Sequence, residues 1–242
     1  MKIGTDGVLL GAMVRLENCR PHIIRVLDIG TGTGLIALML AQRLEALEVD
    51  FQIDAVEIDK DAATQARGNF ENSPWKGHLK VFGMSFDEFL LSSHANGIKE
   101  LGGYDLIVTN PPFYNATLKP EDEARAVARH KDSLPLRTIM AGCRQLLKSR
   151  GRLAMIYPMD YDTEVMTEAL LAQGKPLRIC NIVTKVGKPC KRRVTEFSFG
   201  LDNPCDEGRT PLDCEMLAIR DEKGEYTREY QDLTQDFYVV LH

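Results

Sequence analysis

Short apolar runs alternate with amphipathic stretches along most of the chain, and this alternation predicts a parallel sheet whose strands are joined by helices. Each apolar run has the length of a buried strand and is bounded by glycine, proline or polar residues. Strands are predicted at 25–29, 54–59, 79–82, 105–109, 152–157, 176–183 and 194–200, with 215–220 as a candidate for one more. Helices are predicted at 35–44, 61–70, 134–147 and 164–172.

Composition narrows the class of protein. The 242 residues are 44% hydrophobic, which suits one α/β domain over residues 1–242, since no linker or repeat divides them. The net charge of −5 excludes a globally basic nucleic-acid binder, so any such partner needs a local patch. The six cysteines are scattered without metal-ligand spacing, and no run has the length of a membrane span. We therefore expect a soluble cytoplasmic protein with free thiols and no metal.

A glycine loop follows the first predicted strand and opens the next helix. Asp28 stands directly before the alternating glycines Gly30, Gly32 and Gly34. This order is typical of a nucleotide-binding βα unit, in which glycines let the backbone approach a ligand at a helix N-terminus. An acid at this place suits a ligand with an amino-acid end better than a pyrophosphate, so the loop favours S-adenosylmethionine. NAD stays open, because Gly32-x-Gly34-x-x-Ala37 also fits the dinucleotide pattern.

Further candidate cofactor contacts follow other elements. Glu57 ends the second predicted strand, where an acid binds a ribose diol. Ser85 and Phe86 form the turn after the third strand and would approach an adenine, although Phe86 also suits the core. Thr5 and Asp6 precede the first apolar stretch, either as ligand contacts or as caps of a short helix.

The tetrapeptide Asn110-Pro111-Pro112-Phe113 ends the fourth predicted strand. Two prolines hold the chain extended, which fixes an amide, several carbonyls without nearby N–H partners and an aromatic ring in one place. Carbonyls accept from an amino group and a ring stacks on a flat base, so the segment suits an amino-substituted base or an amide. A loop that merely ends the strand is the alternative. Because the glycine loop and Glu57 reach the same sheet edge, we interpret Asn110, Pro111, Pro112 and Phe113 as an active site.

Two charged segments are candidates for contact with a substrate. Residues 114–133 carry many charges and little strand pattern, and we interpret them as a substrate-facing loop that includes Tyr114 and Arg129. Residues 184–193 join two predicted strands as a hairpin tip. A solvated tip is the alternative to a contact with a phosphate backbone. This tip contains five cations and no acid: Lys185, Lys188, Lys191, Arg192 and Arg193.

The motif set resembles that of a known enzyme class. The Asp28–Gly34 loop, Glu57 and Asn110–Phe113 are similar to class I S-adenosylmethionine-dependent methyltransferases that methylate amino groups. The opening residues 1–12, Ala128-Arg129 and the closing Asp236-Phe237-Tyr238 resemble the bacterial tRNA1(Val) adenine-37 N6-methyltransferase family over nearly the whole chain. The resemblance implies a Rossmann-like, seven-stranded, mostly parallel sheet with helices on both faces. It also implies S-adenosylmethionine as cofactor and the anticodon loop of a tRNA as partner.

The resemblance further implies a direct transfer to the exocyclic nitrogen of an adenine. The Asn110 side chain and the Pro111 carbonyl would accept its N–H bonds, while Phe113 and Tyr114 would stack on the base. Ser85 stands where such enzymes often carry an acid. Family members usually have a further segment before the opening motif, and its absence here predicts a truncated or mis-started chain.

Other functions stay open at this point. These are a protein-glutamine methyltransferase, another RNA or DNA amino-methyltransferase, an NAD-dependent dehydrogenase, and an RNA-binding module without catalysis. The basic tip favours RNA over a protein acceptor, and the tetrapeptide offers no proton donor for a dehydrogenase.

Overall fold

A computed structural model describes residues 4–16, 23–113, 134–200 and 212–238. Eight strands in these ranges form one sheet. They are β1 (Ile24–Ile29), β2 (Phe51–Val56), β3 (Leu79–Phe82), β4 (Tyr104–Thr109), β5 (Leu147–Pro158), β6 (Lys175–Val183), β7 (Cys190–Ser198) and β8 (Asp213–Ala218).

Helices connect most of these strands. A short 3₁₀ turn follows β5 at Met159–Tyr161, and another lies at Gln235–Phe237. The helices are α1 (Thr5–Met13), α2 (Leu35–Ala46), α3 (Lys60–Glu71), α4 (Phe86–Leu91), α5 (Ser93–Glu100), α6 (Leu136–Leu146), α7 (Asp162–Leu171) and α8 (Arg228–Thr234). Within the described ranges, no helix combines the length and the apolar character needed to cross a membrane.

The sheet has the order β3-β2-β1-β4-β5-β7-β6-β8. The first five strands in this order run parallel, β7 is antiparallel to both of its neighbours, and β8 is parallel to β6. Parallel strands end at one edge, so the segments after β1, β2, β4, β6 and β8 all emerge there. The residues predicted to form the site therefore share this carboxyl edge.

Two apolar layers cover the sheet, because side chains alternate along each strand. On one face Val26 packs with α1 and α2, and on the other its neighbour Leu27 packs with α4, α5 and α6. The doubly covered sheet confirms the predicted class I methyltransferase fold. It has eight strands where seven were predicted, because β8 pairs with the outer side of β6.

Two local predictions differ from the structure. Helix α1 is preceded by Gly4 at the N-cap position, so the prediction of a Thr5 or Asp6 cap is wrong; both residues lie in the first turn. The joining segment predicted at 184–193 is shorter, because β7 already begins at Cys190. Its pairing with β5 places Arg192 opposite Pro158 and Arg193 opposite Tyr157, and this pairing outweighs the weak strand preference of the cations.

Candidate active site

A cavity of about 1080 Å³ lies at the carboxyl edge of the sheet. We call it the cofactor cavity. The loops after β1, β2, β3 and β4 and the end of β5 form its walls. Its lining includes Gly30, Gly32, Glu57, Ser85, Phe86, Asn110, Pro111, Pro112 and Phe113, all predicted from the sequence.

The glycine loop bends sharply between β1 and α2. Gly30, Gly32 and Gly34 have φ values of +69°, +58° and +86°, which strain any residue with a side chain. A Cβ atom on Gly34 would come within 2.5 Å of the Phe70 ring, whereas one on Gly30 would meet nothing within 4 Å. The lack of a side chain at Gly34 therefore allows α2 to pack against α3. The lack of one at Gly30 leaves the backbone there accessible from the cavity.

Asp28 lies completely buried beneath this loop. Its Oδ2 atom accepts a hydrogen bond of 2.6 Å from the Thr31 hydroxyl, but its Oδ1 atom has no partner within the described residues. Burial raises the pKa of Asp28 to about 7, and the Thr31 hydrogen bond opposes this rise. A buried acceptor without a partner suits a ligand with an ammonium group, as the amino-acid end of S-adenosylmethionine carries. Asp28 is not among the described residues that line the cavity, so its contact with the cofactor stays a prediction.

Glu57 follows β2 and borders the cavity with only 8% of its surface exposed. The backbone N–H groups of Gly32 and Asp59 donate to its two carboxylate oxygens at 2.8 and 2.9 Å. These bonds fix the carboxylate between the loops after β1 and β2. Each oxygen keeps a lone pair for a further donor, so Glu57 can accept from the two hydroxyls of a ribose.

The tetrapeptide is held at the end of β4. The Thr109 hydroxyl donates to the Ile29 carbonyl at 2.9 Å, which ties the ends of β4 and β1 together. Pro111 is buried, and among the described residues nothing hydrogen-bonds the Asn110 side chain. The Phe113 ring lies 4.7 Å from that of Tyr161, centroid to centroid. The cavity wall therefore carries an amide without a partner in the described part of the chain, beside a supported ring.

The turn after β3 has a structural role of its own. Ser85 caps α4: its hydroxyl accepts from the Glu88 N–H at 3.2 Å, and its N–H donates to the Glu88 carboxylate at 2.8 Å. Phe86 is 3% exposed and packs in the core, as the alternative interpretation predicted, although it also reaches the cavity wall. Their contact with a cofactor stays a prediction.

The remaining candidates lie in different places. Asp6 and Arg192 both line the cofactor cavity and form an ion pair of 2.8 Å, while Thr5 and Lys191 line a neighbouring pocket. Arg193 faces elsewhere: its guanidinium contacts the Asp162 carboxylate at 2.5 Å and the Asn181 side-chain oxygen at 2.9 Å. Its position favours a structural role over the predicted contact with substrate. Tyr114, Arg129 and the predicted loop 114–133 lie outside the described residues.

Several lining residues escaped the sequence-based prediction. Tyr157 at the end of β5 reaches the cavity, and its hydroxyl is 2.7 Å from the Thr195 hydroxyl and 3.0 Å from the Asp162 carboxylate. The acidic residues Asp59 and Asp87 also line it. Asp59 is the N-cap of α3 and Asp87 lies in the first turn of α4, so a position at the start of a helix that follows a strand is the signal that could have identified them. The described residues contain no group of three or more potential metal ligands.

Comparisons with known proteins agree with this geometry. Residues 5–175 match the methyltransferase small domain family. The sequence is 40% identical over 241 residues to the tRNA1(Val) (adenine(37)-N6)-methyltransferase of Christiangramia forsetii, covering 100% of this chain and 92% of that protein. It is 38% identical to the protein of that name from Aeromonas hydrophila, with the same coverage.

A solved structure has the same fold. The crystal structure of a predicted O-methyltransferase from Agrobacterium tumefaciens superposes with a TM-score of 0.67 at 18% identity, covering 96% of each chain. The chain belongs to the methyltransferase small domain family and, within it, to the family of the tRNA1(Val) (adenine(37)-N6)-methyltransferases.

Proposed function

We propose that this protein transfers a methyl group from S-adenosylmethionine to the exocyclic N6 atom of an adenine in tRNA, at position 37 in the anticodon loop of tRNA1(Val). The observation that carries the proposal is the Asn110 amide, which has no hydrogen-bond partner among the described residues and lines the same cavity as the glycine loop and the two prolines. Since tRNA is the substrate, we place the protein in the cytoplasm.

The cofactor would be held by groups that already have fixed positions. Glu57 would accept from the ribose hydroxyls, the Gly30 and Gly32 backbone would lie along the ligand, and the Asp28 carboxylate would compensate the ammonium group. S-adenosylmethionine supplies a methyl group on a sulfonium, which is already electrophilic. The protein therefore needs to align the acceptor rather than to activate the donor.

The acceptor is a weak nucleophile, because the lone pair of an exocyclic adenine nitrogen is delocalised into the ring. The Asn110 side-chain oxygen and the Pro111 carbonyl would accept its two N–H bonds and so favour a pyramidal nitrogen. One N–H proton is released to water after transfer. Asn110 and Pro111 thus act as positioning acceptors for the reacting amino group.

The target base has to leave its stack before it can enter the cavity. Phe113 offers a ring for it to stack on, and the contact with Tyr161 keeps that ring in place. Lys191 and Arg192 lie at the rim of the sheet edge and would contact the RNA backbone. We propose that stacking on Phe113, together with these contacts to the RNA backbone, selects an unpaired adenine.

Radiolabelled S-adenosylmethionine tests the acceptor directly. Purified protein is offered total tRNA from a strain that lacks adenine-37 methylation, with DNA and a release-factor protein as parallel acceptors. We expect label in tRNA as N6-methyladenine. Label in the release factor would replace the proposal with glutamine methylation, and label in DNA would replace it with DNA methylation.

Two matched variants test the role of the amide. Asn110→Ala should lower the rate of methyl transfer by about 100-fold or more, because a positioned polar group is lost from the transition state. Its affinity for S-adenosylmethionine should change little. Asn96→Ala, at an exposed position on α5, should behave like the wild type. An Asn110→Ala enzyme with normal activity would contradict the proposed mechanism.

A further inference from the structure

A second pocket of about 860 Å³ lies beside the cofactor cavity. We call it the basic pocket. The turn between β6 and β7, the end of β8 and helix α8 surround it. Its lining consists of Thr5, Thr184, Lys185, Lys188, Pro189, Lys191, Ile219, Arg220, Tyr226, Tyr230 and Tyr238. Apart from Lys191, its residues have no part in the function proposed above.

The charge of this lining is entirely positive. Lys185, Lys188, Lys191 and Arg220 contribute four cations, and no lining residue is acidic. The ammonium groups of the three lysines form no ion pair with any of the described residues. On a protein with a net charge of −5, a pocket whose three lysines have no acidic partner among the described residues favours a polyanionic ligand.

Aromatic side chains form one wall of the pocket. The rings of Tyr226 and Tyr230 stack with centroids 5.2 Å apart, and the Arg220 guanidinium lies 4.1 Å from the Tyr226 centroid. The Gly224 carbonyl accepts from Arg220 at 2.6 Å and holds the guanidinium in place. Stacked aromatic and guanidinium planes next to lysines are the surface that unpaired nucleotides bind.

The two pockets are immediate neighbours. Thr5 and Lys191 line the basic pocket, while the adjacent residues Asp6 and Arg192 line the cofactor cavity. The ion pair of Asp6 with Arg192 therefore separates them. An RNA strand that places one base in the cofactor cavity would therefore bring a neighbouring nucleotide towards this boundary.

We infer that the basic pocket binds an unpaired nucleotide adjacent to the target adenine, with its phosphate on the lysines and its base against the Arg220–Tyr226 stack. This inference rests on the proposed function, and it assigns the ligand of a site that catalysis does not require. The pocket then selects single-stranded loops over duplex RNA. It also holds the strand while the target base is displaced.

The salt dependence of tRNA binding tests the phosphate contacts. Lys185→Ala and Lys188→Ala should each weaken tRNA binding severalfold and make the slope of log Kd against log salt shallower by about 0.7. Affinity for S-adenosylmethionine should not change. Lys76→Ala is the matched control, because this exposed lysine lies next to β3 at the opposite end of the sheet.

Tyr226→Leu tests the stacking contact. We expect tRNA affinity to fall about tenfold with an unchanged salt slope, because stacking is lost and no charge is removed. Thermal unfolding and S-adenosylmethionine affinity confirm that the variant is folded. A single-stranded oligonucleotide with the anticodon-loop sequence should compete with tRNA, and a duplex of the stem sequence should not.

The outcomes separate the two proposals. Wild-type methylation of tRNA together with wild-type binding by all three variants overturns the inference and leaves the proposed function intact. Equal competition by duplex RNA overturns it as well. A wild-type protein that neither binds nor methylates tRNA overturns the proposed function, and the inference with it.

Discussion

The cofactor cavity and the basic pocket share one sheet edge but have opposite charge. Among the described residues, those that line the cofactor cavity include five acids and one base, Arg192, whereas those that line the basic pocket include four cations and no acid. One ion pair separates them. The acidic residues of the cofactor cavity are Asp6, Glu57, Asp59, Asp61 and Asp87.

This contrast explains why the overall charge is uninformative about function. A cationic cofactor favours carboxylates, and a polyanionic substrate favours lysines and arginines. A net charge of −5 averages over both sites. The functional information lies in how the charges are distributed along the carboxyl edge of the sheet.

The two sites also differ in how firmly their polar groups are held. Glu57 is buried and fixed by two backbone N–H groups, and Asp28 is buried beneath the glycine loop. Lys188 and Lys191 are exposed. The cofactor cavity is therefore pre-organised for one small molecule. The basic pocket can adapt to a flexible strand, and its binding should depend on salt.

Replacing Asp28 should weaken the binding of S-adenosylmethionine and leave the binding of tRNA unchanged. Asp28→Asn keeps the size of the side chain and the hydrogen bond with Thr31 but removes the charge that would face the ammonium group. We expect S-adenosylmethionine affinity to fall about 50-fold, within the range of a charge-assisted hydrogen bond, with tRNA affinity unchanged. Calorimetric titration with each ligand separately measures both values. An equal loss of both affinities would refute the independence of the two sites.

Phe113 tests the part of the cofactor cavity that faces the RNA. Phe113→Leu should raise the KM for tRNA and lower kcat, with a combined loss of about 20-fold, because the base loses its stacking partner. Phe113→Tyr keeps the ring and should retain most of the activity. Steady-state kinetics at saturating S-adenosylmethionine measures the effect. If both variants behave alike, the ring does not contact the base.

Changing the pH should affect the two sites differently. The pKa of Asp28 lies at about 7 in the folded protein against an ordinary value of 3.8, so the folded state retains a proton that the unfolded state has lost. Stability without ligand should therefore fall as the pH rises from 4 to 7. Between pH 8 and pH 6, S-adenosylmethionine affinity should fall about tenfold, because the neutral acid no longer compensates the ammonium group.

The basic pocket should not follow this trend. None of the described residues that line this pocket is an Asp, Glu or His, so tRNA affinity measured at constant salt should stay level over this range. Asp28→Asn supplies the control, since its cofactor affinity should lose most of the pH dependence. If the cofactor affinity of Asp28→Asn has the same pH profile as that of the wild type, the group that titrates is not Asp28.

The sequence predicts the site best where a motif is continuous. Gly30 follows β1 directly and Asn110 follows β4 directly, so local spacing locates the two motifs and parallel topology brings them to one cavity. Ser85 illustrates a competing local signal. A Ser-x-x-Glu pattern is a capping box, and in the structure Ser85 and Glu88 form one at the start of α4.

Prediction fails where a partner is distant in the sequence. Arg193 belongs to a run of cations, but Asp162 and Asn181 neutralise and orient it, and spacing alone cannot identify these partners. The place of Tyr226 is equally hard to predict from sequence spacing. Tyr226 follows β8, and the pairing of β8 with β6 brings it close to the lysines in the turn after β6. Long-range strand order therefore determines which charged residues remain available to a ligand.

The ion pair between Asp6 and Arg192 gives the smallest expected effect and tests the boundary itself. Both side chains are more than a third exposed, so the pair should contribute less than about 1 kcal/mol to the free energy of unfolding in a double-mutant cycle with Asp6→Asn and Arg192→Gln. Its effect on binding has a definite sign. Asp6→Asn leaves Arg192 uncompensated next to the basic pocket, so tRNA affinity should rise about two- to threefold at low salt.

Salt provides the control for this last prediction. The gain in Asp6→Asn should disappear near 1 M salt, where charges are screened over about 3 Å, and Arg192→Gln should lower tRNA affinity under the same low-salt conditions. A gain that persists at high salt would mean that the effect is not electrostatic and would contradict the prediction. A loss of tRNA affinity in Asp6→Asn would mean that the ion pair orients Arg192 for the RNA. In that case the two pockets would form one continuous binding surface.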